Sequence, residues 1–217
     1  MTSRTLLAVT LPLLLAGCTL FPSTPVVKTR YVLEARRGEV TEAAGGPSLQ
    51  VRPFSVSPLL DGRLLVFRTG ESVREADFYS ELWNAPGDML ADVIARWLGD
   101  SGLFSVVVPP GTAGTATDLV LEGWIADLSG DWRDAEASKG VVDFRVALLE
   151  PGSGGRILWR QEFRAQCPVT ARTQDALVAA WNECLQETLR RLEEDLRAAL
   201  PRMVLPDPRD DGGRDYP

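Results

Sequence analysis

The stretch Val141-Val142-Asp143-Phe144-Arg145-Val146-Ala147-Leu148-Leu149 decides the fold. Val142, Phe144, Val146 and Leu148 alternate with more polar neighbours, as a strand with one buried face requires. Downstream, Arg156 to Ala165 reads as a second long strand. It carries Ile157, Trp159, Phe163 and Ala165 on one parity, and Cys167 beyond it continues that parity. Gly152 to Gly155 supplies the turn between them, and Leu119 to Leu128 upstream is a third strand. From Thr173 to Leu200 the period changes. Leu177, Trp181, Cys184, Leu185, Thr188, Leu192 and Leu196 fall near one face of a helix, with Glu183, Glu187, Arg190, Glu194 and Arg197 opposite. Thr173 is placed to cap this helix and Pro201 to end it.

Toward the N-terminus the elements shorten. Tyr31 to Ala35 reads as a first strand, and Gly38 to Pro47 as a loop rich in Gly, Ala and Glu. Leu49 to Val56 reads as a second strand with an edge or bulge at Pro53. Asp61-Gly62 looks like the turn of a hairpin, with Arg63 to Arg68 as the returning strand. A short extended piece covers Ala76 to Tyr79. Asn84 to Ser101 is a helix, with Asn84 as its cap and Pro86 in the first turn. Its apolar stripe is Met89, Leu90, Val93, Ile94, Trp97 and Leu98. Leu103 to Val108 is a further short strand. Strands, helix, strands, helix in this order predict an α+β fold. The expected architecture is a two-layer sandwich of a mainly antiparallel mixed sheet, with two long helices packed on one face.

The first residues carry a different signal. Arg4 precedes an apolar run from Leu6 to Leu15, and Leu15-Ala16-Gly17-Cys18 follows. Charge, apolar core and small residues before a cut are the layout of a secretory signal. The run is shorter than the ~20 residues that a membrane-spanning helix needs. Cleavage between Gly17 and Cys18 would leave a cysteine whose thiol takes a diacylglycerol and whose amine takes a further acyl chain, such as palmitate. Thr19, in place of aspartate, points to outer-membrane sorting with the body facing the periplasm. The expected organisation is a signal peptide over 1–17, a lipidated tether over 18–29, a folded domain over 30–200 and a disordered tail over 201–217.

Composition narrows the chemistry. The net charge is −7, so bulk charge opposes binding to nucleic acid or to anionic headgroups. The sequence holds no histidine, which excludes Ser-His-Asp and Cys-His nucleophile activation and histidine metal sites. No acidic run has the spacing of a calcium loop. No catalytic, metal or cofactor residues are therefore assigned, and enzyme activity is not expected. With Cys18 acylated, Cys167 and Cys184 remain, either as a disulfide fixing the last helix to the sheet or as two buried thiols. Phe78-Tyr79-Ser80-Glu81-Leu82-Trp83 is either a partner-docking edge, through Tyr79 and Trp83, or core packing at a strand-to-helix junction. Trp132, on an expected loop, is the third docking candidate.

Four features in this order resemble the ABC-type transport auxiliary lipoproteins, including their PqiC-like members. They are Leu15-Ala16-Gly17-Cys18, the early strand Arg30-Tyr31-Val32-Leu33, the segment Arg63-Leu64-Leu65-Val66-Phe67-Arg68, and Phe78 to Pro86 leading into the helix. The last is similar to the family's "Y…W…P" passage. Where the family often has leucine directly after the proline, this chain has Gly87, Asp88 and Met89 before Leu90, a departure expected to weaken the packing of the first turn. The resemblance spans Arg30 to Leu200. It implies a non-enzymatic accessory to a transporter built from a mammalian-cell-entry (MCE) domain protein, a permease and an ATPase, which moves phospholipids or other hydrophobic molecules between membranes. Such members are implied to sit at the outer-membrane end, some as homo-oligomeric rings. A structural or assembly lipoprotein, serving lipopolysaccharide or outer-membrane proteins, remains the alternative.

Overall fold

Alternating Val, Leu and aromatic residues build three long strands, and the rest of the molecule is arranged on them. A computed structural model describes residues 27–43, 45–60, 62–152 and 155–203. The signal segment, Cys18, the tether up to residue 26, Asp61 and residues 204–217 lie outside the described residues. In chain order the elements are β1 Thr29–Tyr31, β2 Leu49–Val51, β3 Ser55–Val56, β4 Leu64–Arg68, β5 Arg74–Leu82, α1 Pro86–Gly99, β6 Val107–Val108, β7 Leu119–Asp131, β8 Lys139–Glu150, β9 Arg156–Pro168 and α2 Gln174–Ala199, followed by a 3-10 turn at Leu200–Arg202.

The fold is α+β, a nine-stranded mixed sheet with the two helices on one face. The long ladders, β7–β8 and β8–β9, are antiparallel. Phe144, Phe163, Val142, Leu121 and Ile125 point from the sheet into the layer filled by Trp97, Ile94, Trp181 and Leu185. Both helices belong to this one core. The free edge of β7 receives three short strands end to end, all parallel to it: β2 at Leu119–Leu121, β3 at Trp124–Ile125 and β4 at Ser129–Asp131.

That arrangement corrects the expected hairpin. β3 and β4 run in the same direction, so the chain around Gly62 does not reverse the strand. Short apolar runs report burial and not pairing direction, and β7 offers the same apolar face to each run in turn. The reversal comes later, where β4 pairs antiparallel with β5. The expected first strand, Tyr31 to Ala35, is also displaced. Its ladder with β5 covers Thr29 to Tyr31, so it begins at the last residue of the stretch read as tether and ends at the first residue of the expected strand. Residues 33–36 then run along α2, where Asn182 accepts from Glu34 N at 2.9 Å and Gln186 brackets Arg36 with two bonds. Side-chain amides on successive helix turns thus replace a strand partner.

Ile157, expected inside with Trp159, is instead 55% exposed. A bulge shifts the register between Leu148–Trp159 and Leu149–Ile157, and one extra residue turns every preceding side chain to the other face. Thr173 caps α2 as expected, its hydroxyl accepting from Ala176 N at 3.3 Å. Asn84 does not cap α1; Ala85 holds that position, and the Asn84 side chain accepts only from Ala85 N. The start of the expected tail is ordered too, since Pro201 and Arg202 form the 3-10 turn and Met203 packs on the core.

Gly87 does the reverse of what its departure from the family pattern suggested. A Cβ there would strike the carbonyl oxygen of Phe54, and one on Gly123 would strike the Phe54 ring. The two glycines let α1 and β7 close around Phe54, so the first turn is tightly packed.

Candidate docking surface

The ladder between β4 and β5 breaks in one place. Leu64 pairs with Glu81 and Val66 with Ala76, so two residues of advance along β4 match five along β5. The surplus throws Asp77 to Ser80 out of register. The Asp77 carboxylate fixes the bulge, accepting from Tyr79 N at 2.7 Å and from Gln174 Nε2, at the start of α2, at 2.6 Å. Burial acts to raise the Asp77 pKa, but the bonds from Tyr79, Gln174 and Ser80 outweigh it and hold it below the usual range. Tyr31 ties β1 to the same helix end by donating to Asp175 Oδ1 at 2.8 Å. Burial first, then this bond to a carboxylate, pushes the Tyr31 phenol up to about 12.

Phe78 and Tyr79 on the bulge, and Trp83 just past β5, carry exposed aromatic rings. Phe78, Tyr79 and Trp83 are 58%, 63% and 61% exposed. Phe78 and Tyr79 meet edge to face at 5.5 Å between centroids. Lys28 Nζ sits 4.8 Å from the centre of the Phe78 ring, and the Arg30 guanidinium 5.5 Å from that of Trp83. Beneath the rings, the Glu81 side chain is only 6% exposed. Its carboxylate accepts from Lys28 at 3.3 Å, Arg30 at 3.1 Å and Arg63 at 3.2 Å. Burial works to raise the Glu81 pKa; the bonds from Arg30 and Lys28 and the charge of Arg63 override it and lower it. Arg63 also donates to Trp83 O at 3.1 Å. One buried carboxylate therefore holds three cations and, through them, the posture of two of the rings.

Tyr79 and Trp83 are thus both exposed, and the core-packing reading holds for Leu82 of this passage but not for its three rings. Trp132 is elsewhere. It is half-buried, with its ring 4.0 Å from that of Phe67 and the Arg172 guanidinium 5.8 Å away. It serves the core at the end of β7. The sequence does not single out Glu81, Lys28, Arg30 and Arg63, because only the pairing of β1 and β4 with β5 makes them neighbours. A glutamate inside an aromatic run is the available hint.

The other notable groups are built into the fold. Cys167 on β9 and Cys184 on α2 are joined by a disulfide, with Cα atoms 5.7 Å apart. A bond from Arg133 leads the causes that lower Asp131 to about 2. Bonds from Ser48 lower Asp118. Burial raises Asp143, which faces Asp127 across the β7–β8 ladder and is opposed in this by Arg164. On the sheet face away from the helices, Arg145 stacks 4.1 Å from the centre of the Trp124 ring and reaches Glu162 at 3.9 Å, a cross-strand ladder lining a shallow groove. Among the described residues no cluster of three or more His, Cys, Asp or Glu could hold a metal ion, and no helix is long and apolar enough to cross a membrane.

Comparison with known proteins identifies the lineage. The model of the ABC-type transport auxiliary lipoprotein component family matches residues 31–210. The crystal structure of protein XCC0632 from Xanthomonas campestris superposes with a TM-score of 0.69 at 18% identity, covering 80% of this chain and 97% of that one. A second crystal structure, of an uncharacterized protein, gives 0.61 at 12% identity, covering 78% and 99%. At these identities the likeness concerns the fold. The PelC dodecamer from Paraburkholderia phytofirmans reaches only 0.39 at 12% identity, covering 70% and 93%. Among curated protein sequences nothing matches. The family match spans most of the chain, and the protein belongs to the ABC-type transport auxiliary lipoproteins.

Proposed function

We propose that this protein is a non-enzymatic accessory of an ABC-type system that moves lipid between membranes with an MCE-domain protein, a permease and an ATPase. It is held by acylated Cys18 in the outer membrane of a Gram-negative envelope and stands in the periplasm, where it docks the transporter components. The observation that carries this reading is the family match over residues 31–210, close behind Leu15-Ala16-Gly17-Cys18. The sequence is consistent with it in chemistry, since a chain without histidine that carries a lipobox is suited to holding a partner. Two or more acyl chains on Cys18 give a stable anchor, which one chain does not.

The test is crosslinking in cells with the full-length chain, followed by identification of what is captured. Capture of the MCE protein or its permease is expected, together with altered phospholipid traffic on deletion. Labelled palmitate should enter the wild-type chain and not the Cys18→Ala variant. Capture of lipopolysaccharide- or outer-membrane-protein assembly components alone, with unchanged lipid traffic, would overturn the reading.

A further inference from the structure

The first described residues, Val27 and Lys28, lead straight into the aromatic cluster on β5. We propose that this cluster is a membrane-contact face. Phe78, Tyr79 and Trp83 lie at the headgroup level of the bilayer that carries the anchor, and Lys28, Arg30 and Arg63 face lipid phosphates. The inference rests on acylation of Cys18.

Chain length supplies the first argument. Val27 follows Cys18 by nine residues. Even fully extended, at about 3.3 Å per residue, that chain reaches only about 30 Å. The cluster is where the body receives the anchor, so the chain holds it within about 30 Å of Cys18 and leaves it free to touch the bilayer.

Charge supplies the second. The chain is acidic overall, at −7, so most of its surface is repelled by anionic lipid. Here three cations gather on Glu81, while the neighbouring carboxylates Asp77 and Asp175 accept bonds from Tyr79 N, Gln174 and Tyr31. The cations are partly exposed, at 29%, 49% and 43% for Lys28, Arg30 and Arg63, so they can reach phosphates while still bonded to Glu81. Only a local reading finds this; the bulk charge points the other way.

The side chains supply the third. Tryptophan and tyrosine, each with an apolar ring and a polar handle, are the residues that settle at membrane–water interfaces, and basic stems extend beside them. At Ser80 to Leu82 the outer side of β5 is already paired with β1, so a peptide strand has no edge of β5 to add to there. What remains is a fixed set of rings beside fixed cations, which fits a headgroup layer better than an added strand.

The experiment uses the mature lipidated chain in vesicles of phosphatidylethanolamine and phosphatidylglycerol whose acyl chains are brominated near the headgroup. Flotation reports the anchor, and quenching of tryptophan fluorescence reports the face. The expected result is quenching that Trp83→Phe largely abolishes. Arg30→Gln, or replacement of phosphatidylglycerol by phosphatidylcholine, should weaken it while the melting temperature of the protein is unchanged. If the chain floats but Trp83→Phe is quenched as much as wild type, the face is wrong although the anchor stands. The face is equally wrong if crosslinkers placed at Phe78 or Tyr79 capture a transporter protein or a second copy of the chain in place of lipid. If the chain does not float, the anchor fails and this inference falls with it.

Discussion

Glu81 and Glu193 are buried to nearly the same degree, at 5% and 6% exposure, and each gathers several donors, yet they do different work. Glu193 joins three parts of the fold. It lies on α2 and accepts from Trp97 Nε1 of α1 at 2.9 Å, from Arg37 of the 33–41 segment at 2.9 and 3.2 Å, and from Arg197 one turn further along α2 at 2.6 Å. Arg37 in turn holds Thr41 Oγ1 and Asp100 O. Glu81 instead faces the edge of the sheet, and its three cations continue outward to aromatic rings in solvent. The same device, a buried carboxylate under several cations, closes the core in one place and presents a surface in the other. The difference lies in what the cations touch next. It predicts that the first site governs stability and the second governs recognition.

The largest break comes from Glu193→Ala. Removing one partner from a buried charge cluster costs about 3–5 kcal/mol. Arg197 can turn to water, so a loss near about 3 kcal/mol is expected, which for a domain of this size lowers Tm by roughly 6–12 °C. Thermal and urea unfolding measure it. A change within error would mean that Glu193 does not hold the helices together.

Next is the disulfide, which also secures α2. Residues 167 and 184 close a loop of 17 residues, and such a cross-link contributes roughly 3 kcal/mol in the loop-entropy view. With Cys167→Ala and Cys184→Ala together, amide exchange should quicken along α2 and β9 and stay unchanged in β1 and β5. Equal quickening at both sites would show that the two regions are one cooperative unit.

Acid sharpens the comparison further. Both glutamates titrate below their ordinary value in the folded protein. A depressed carboxylate contributes stability that is present above the unfolded pKa, near about 4.3, and that drains away as pH falls through the lower folded value. Tm should therefore fall on acidification below about pH 5, and less steeply in Glu193→Ala than in wild type. An unchanged slope in that variant would remove Glu193 from the acid response.

Much of this is legible in the sequence, and the rest is hidden for identifiable reasons. The three long strands and both helices follow from period: Phe144 and Val146 alternate, and Leu177, Trp181 and Leu185 recur by turns. Pairing direction does not follow from period, so the sequence suggests a hairpin where β3 and β4 run parallel. Nor does a bulge, so parity alone puts Ile157 inside and leaves Phe78 with two readings. Cys167 and Cys184 can be paired in principle because both lie on apolar faces, but linker length alone leaves the bond open. No pattern in the sequence marks Glu81 or Glu193 as buried. Their partners lie between 18 and 156 residues away, Arg197 apart, and only the fold brings them near.

The smallest expected effect on stability is also the most informative. In Glu81→Gln the amide keeps the shape of the carboxylate but loses its charge. Lys28, Arg30 and Arg63 are all partly exposed, so water can solvate them when the carboxylate is gone. Tm should fall less than in Glu193→Ala, because no buried cation is stranded. The cations should leave their places over the rings, and Trp83, no longer beside Arg30, should shift its emission. The difference spectrum between Glu81→Gln and wild type should vanish when both carry Trp83→Phe as well. A Tm drop equal to that of Glu193→Ala would make Glu81 a second core lock. A full retention of the Trp83 spectrum would mean that β1 and the bulge, and not the carboxylate, hold the rings in place.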